Sequence, residues 1–137
     1  MKKYLAAYGA TLVAVLALDL LWLGLIAQAW YQQGIGHLMA TEPKFGIAAL
    51  FYLVYALGLV VFVVVPTGRG SRPAGWREPL VRGAMFGFFA YATYDLTNWA
   101  TLRDWPWQVA MVDMLWGATV SSLSAWAGWL AWDKTLA

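Results

Sequence analysis

The stretch from Tyr94 to Gly117, YDLTNWATLRDWPWQVAMVDMLWG, decides the fold. Only Arg103 and Asp104 are charged in its middle. On either side the chain stays apolar for about 20 residues or more, enough to cross a bilayer. The flanks therefore read as membrane helices of about 83–102 and 105–132, the first starting near Leu80 or Gly83, joined as a tight antiparallel hairpin. Each flank carries one acid inside the hydrocarbon, Asp95 and Asp113. A carboxylate at a helix centre costs about 2.5 to 3.5 kcal/mol on insertion scales, so something must compensate for it.

Outward from the hairpin, two further apolar runs appear. The first covers about 4–30 and is interrupted only by Asp19 and Gln28; the second covers about 46–65, has no carboxylate or base and ends at Pro66. Lys2 and Lys3 mimic a secretory signal, but the run that follows is too long and has no convincing cleavage site. Of the 137 residues 62% are hydrophobic and 12% charged, against roughly a quarter charged in a soluble domain. The composition therefore favours an all-α integral membrane four-helix bundle, a multi-pass single domain of 1–137 with no separate aqueous unit. Cysteine is absent, which removes disulfides and thiolate metal sites. A net charge of +2 is too small to point to nucleic acid.

Basic residues set the expected orientation. Lys2, Lys3, Arg69, Arg72, Arg77, Arg82 and Lys134 flank one side of the spans, whereas the other side holds Lys44 and Arg103. The positive-inside tendency then places the N and C termini in the cytoplasm. Trp30, Trp105, Trp107, Trp129 and Trp132 fall near helix ends and read as headgroup anchors. His37 lies in the polar connection with Glu42 nearby and reads as a solvated loop residue, since a lone histidine makes no multi-histidine metal site. Thr41 is a candidate cap for the second helix, and Tyr52, Tyr55 and Phe62 read as core packing.

The three acids fall at similar depth. At about 1.5 Å per residue, Asp19 lies roughly 22 Å along its helix from Tyr4, and Asp95 roughly 18 Å from Gly83. Asp113 enters from the opposite side, roughly 12 Å from Trp105, which brings it to the same outer half of a core of about 30 Å. Gly83, Gly87, Tyr91, Asp95 and Asn98 form one stripe of their helix, and Asp113, Gly117, Ser121, Ser124 and Gly128 form another. Small residues permit close helix approach, so Asp95 and Asp113 should face inward. Asp19 shares a face with Leu12, Val15, Leu16, Trp22 and Ile26 and is assigned inward because lipid is the worse alternative.

The first and last spans echo each other, Asp19-Leu20-Leu21-Trp22 against Asp113-Met114-Leu115-Trp116. In each the carboxylate and indole share a face, where an indole N–H can donate to a nearby carboxylate. Because the two spans run in opposite directions, the echo has the form of an inverted repeat; coincidence in a chain rich in Leu and Trp is the other reading.

An acidic pocket built from Asp19, Asp95 and Asp113 and shaped by Tyr91, Tyr94, Asn98, Trp22 and Trp116 could bind a small hydrophobic or cationic ligand, or share and conduct protons. The alternative is purely structural: acids that are protonated or hydrogen-bonded and only fix helix packing. Two other functions stay open, an accessory subunit of a larger membrane complex or homo-oligomer, and a lipid-modifying enzyme using carboxylates as acid and base. No phosphate-binding glycine loop, nucleophile elbow or zinc-protease motif is present, and the sequence names no cofactor.

The Asp-x-x-Trp-Leu-Gly of the first span, the Tyr94 to Leu102 block and the Asp-x-x-Trp-Gly of the fourth resemble a family of small bacterial inner-membrane proteins catalogued as a domain of unknown function. The resemblance covers nearly the whole chain. It implies a four-helix topology in the inner membrane and points to Asp19, Asp95, Asn98 and Asp113, and it implies no activity.

Overall fold

The structure is a computed structural model that describes residues 1–69 and 75–135, and among these every regular element is helical. The α-helices are α1 Lys2–Leu21, α2 Gln28–Ile35, α3 Phe45–Leu59, α4 Val65–Gly68, α5 Arg77–Thr101 and α6 Trp107–Lys134. A π-helical turn at Trp22–Ile26 extends α1, and another at Val60–Val64 joins α3 to α4. The resulting stretches Lys2–Ile26 and Phe45–Gly68 are long and apolar enough to cross a membrane.

Polarity is distributed inside out. Leu5, Val13, Leu25, Val54, Phe89 and Leu115 are exposed, whereas Thr11, Asp19, Thr67, Asp95, Ser121 and Ser124 are buried. A surface this apolar is unfavourable against water and natural against hydrocarbon.

The α5–α6 pair is the most extensive helix contact, and glycine is the reason. A Cβ at Gly83 would come within 2.8 Å of the Ser121 carbonyl oxygen and 2.9 Å of Ala125 Cβ, so the backbones meet with no side chain between them. Ser122 donates across the same seam to the Leu80 carbonyl at 2.7 Å. On the other side α6 receives α1 through Ala7, Thr11, Val15 and Asp19, all buried and each four residues from the next. Gly128 makes room there for Thr11. By contrast α3 packs chiefly on α1 and meets α5 and α6 toward its C-terminal end, through Tyr55 and Gly58 and the π-helical turn that follows. The first half of α3 thus stands off from α5 and leaves a gap.

Several boundaries differ from the sequence expectation. The run expected over 4–30 breaks at Ala27, where φ is −110° and ψ is 5°, and the polar connection then re-forms as α2. Packing overrides composition here, because Ala27 and Tyr31 are buried with Trp105, Val109 and Ala110. Helix α5 starts earlier, at Arg77; Glu78 in its first turn favours the helix N-terminus and accepts from Arg82 at 3.0 Å. Thr41 caps nothing: Lys44 precedes α3 and no side chain caps it. Phe62 is exposed rather than core, and Trp105 and Trp132 are buried rather than anchoring. Trp132 packs edge-on to Tyr4 at 4.9 Å, and its carbonyl accepts from Lys3 at 3.1 Å. Arg72, counted in the orientation, lies outside the described residues.

Candidate functional site

The stand-off of α3 and the fold-back of α2 border a partly open cavity of about 810 Å³. Asp19 of α1 and Asp113 of α6 both line it. Asp19 is nearly buried, with 4% exposure, and has two donors: the Tyr52 hydroxyl to Oδ2 and the Trp116 indole N–H to Oδ1, each at 2.8 Å. Asp113 Oδ1 accepts from the Tyr31 hydroxyl at 2.8 Å, and the Tyr31 oxygen accepts from the Trp22 indole at 3.2 Å.

The two Asp-x-x-Trp motifs therefore cross over. Each indole serves the carboxylate of the other helix, Trp116 directly and Trp22 through Tyr31. Between them the rings of Trp22 and Trp116 stack at 4.5 Å with planes 7° apart. The geometry follows from antiparallel packing: an aspartate and a tryptophan three residues apart point to the same neighbour, and that neighbour offers the same pair in reverse order.

Asp95 lies behind this wall rather than in it. It is fully buried, and neither carboxyl oxygen has a hydrogen-bond partner among the described residues. Its polar neighbours are the Asp113 carboxyl and the Trp105 indole, whose N–H is also unpartnered. Tyr94 does line the cavity and meets Trp105 edge-on at 5.6 Å and 86°. Tyr91 lines it too, its ring occupying the space a Gly117 side chain would need. Asn98 is half-buried near Tyr94 and does not line the cavity. Ile26, placed on the inward face with Asp19, is exposed, because the π-helical turn rotates it away.

Sequence reasoning missed Tyr31, Tyr52, Tyr55 and Trp105 as residues of this region. Tyr52 and Tyr55 had a readable signal, being the sole hydroxyls of α3 and three residues apart. Tyr55 and Ser121 hydroxyls lie 2.6 Å from each other at the cavity floor. Tyr31 had none, since its position depends on the break at Ala27. His37 sits 3.5 Å from Asp104 rather than beside Glu42, and both members of that pair are exposed. Among the described residues no three metal-capable side chains converge.

A family model described as "Predicted membrane protein (DUF2177)" matches residues 4–130. No curated protein and no solved structure matches the chain.

Proposed function

The chain belongs to the DUF2177 family of predicted membrane proteins, and on that premise we propose a four-span inner-membrane protein with cytoplasmic termini. Its acidic pocket, in the outer half of the bilayer, binds a small hydrophobic or cationic ligand or passes protons. Asp19 and Asp113 form the polar wall, Asp95 backs it, and Tyr91, Tyr94, Trp22 and Trp116 shape it, with Asn98 beyond the rim. One observation carries the proposal: two acids on different helices line one cavity of about 810 Å³ in a chain whose exterior is apolar. That volume falls in the range of about 300–1,000 Å³ typical of ligand sites. Acids placed in hydrocarbon are functional by default.

The accessory-subunit reading docks the chain through its glycine stripes and its aromatic surface. The stripes of Gly83, Gly87, Gly117 and Gly128 are packed within this chain, which leaves that reading its exposed aromatic side chains and favours the pocket.

Native mass spectrometry of the protein released from lipid nanodiscs tests the proposal. The expected result is a small molecule retained by the wild type and lost in Asp113→Asn, with the helical circular-dichroism signal unchanged. Retention of that molecule by Asp113→Asn and by Asp19→Asn would remove the pocket from consideration.

A further inference from the structure

We infer that the pocket takes an organic ammonium, a compact cation whose nitrogen carries alkyl groups, in preference to a neutral or anionic molecule or a bare metal ion. The inference rests on the pocket reading above and supplies its ligand class.

Charge is the first reason. Asp19 and Asp113 line the cavity and no Lys, Arg or His does. Fully buried Asp95 adds a third acid directly behind Asp113. Of the four carboxyl oxygens of Asp95 and Asp113, only Asp113 Oδ1 receives a hydrogen bond among the described residues. A carboxylate withdrawn from water needs a partner of opposite charge, a full set of donors or a proton. Tyr31 is the one donor to Asp113, which leaves at the cavity surface an acid that a cationic occupant can neutralise.

The chemistry of the remaining lining decides which cation. The hydroxyls of Tyr31 and Tyr52 are committed to Asp113 and Asp19, and that of Tyr55 is paired with Ser121. These residues, with Phe51, Tyr91 and Trp105, give the cavity its aromatic carbon, beside the polar side chains of Gln28, Gln32 and Thr41. Aromatic faces carry negative charge density and attract cations, and such surroundings suit alkylated nitrogen, whose charge is diffuse and weakly hydrated. A metal ion instead needs several oxygen or nitrogen ligands at short range. The absence of any three-member cluster among the described residues, and a cavity far larger than an ion, argue for a carbon-clad cation.

The same ammonium chemistry occurs in free amines and in lipid headgroups, and the experiment separates them. Tryptophan fluorescence of the purified protein in dodecyl maltoside is titrated with choline, its neutral isostere 3,3-dimethylbutan-1-ol and the anion 3,3-dimethylbutanoate. The expected result is choline binding at least tenfold tighter than either isostere, with the preference lost in Asp113→Asn and in Asp19→Asn, two variants so that poor folding of one leaves the other. Competition by added phosphatidylcholine but not phosphatidylglycerol assigns the site to a headgroup, and no competition by either assigns it to a free amine. Equal binding of the alcohol, preference for the anion, or no choline signal overturns the inference. If choline fails while the wild type still retains a co-purified molecule that Asp113→Asn loses, the ligand class falls and the pocket stands; if nothing is retained, both fall.

Discussion

Replacing Gly87 with alanine adds one methyl group at the tightest point of the α5–α6 seam. The new Cβ would lie 2.6 Å from Ser121 Cβ, with the Gly117 carbonyl oxygen and Ser121 Oγ nearer still. Ordinary carbon contacts are about 3.5–4.0 Å, so the helices must part by about 1 Å. The obstacles are backbone and a short side chain, which cannot swing away. A gap of that size forfeits a quarter to a half of each dispersion contact it opens, and overpacking a tight site costs about 1–3 kcal/mol. Against this, alanine is favoured over glycine in a helix interior by up to about 1 kcal/mol. The net expectation is a loss of about 1–2 kcal/mol. Gly9 on α1 supplies the control, since a Cβ there meets nothing within 4 Å, and its alanine variant should be neutral or up to about 1 kcal/mol more stable. Reversible unfolding by SDS in mixed micelles, followed by tryptophan fluorescence, measures both. If the two variants shift stability in the same direction, the close glycine packing that sets Asp95 against Asp113 is wrong.

Trp116→Phe and Tyr52→Phe each remove one donor from Asp19 and should each cost about 1 kcal/mol, the scale of hydrogen bonds in membrane proteins. The double variant should cost more than the sum, because a nearly buried carboxyl then has neither donor; additive losses in the same SDS titration would contradict the shared site. Tyr31→Phe cuts the bond that holds α2 to Asp113, and hydrogen exchange of the Gln28–Ile35 amides should quicken by about fivefold, the equivalent of about 1 kcal/mol, while α6 amides stay unchanged.

The inward placement of Asp95 was legible from spacing alone, because the glycines that precede it on α5 mark a backbone-to-backbone seam. The corresponding face of α1 was not recognised. Ala7 and Thr11 form its small-residue stripe, but the leucines beside them fit lipid and protein interior equally well, so hydrophobicity gave no direction. Residue counts along the helices put Asp19 and Asp113 at a common level, yet the crossed pairing of their tryptophans depends on the actual antiparallel contact. Least legible was the cavity. It arises from a helix break at Ala27 and from α3 standing away from α5, and both are outcomes of packing between distant segments.

The same stand-off has a consequence for supply. Where the open side of the cavity meets acyl chains, an amphiphile would arrive by sideways diffusion after dissolving in the leaflet. The concentration that counts is then the one in the lipid phase. Each added methylene raises partitioning by about 0.8 kcal/mol, roughly fourfold, so lengthening a tail would strengthen apparent affinity even though no residue touches the added carbon.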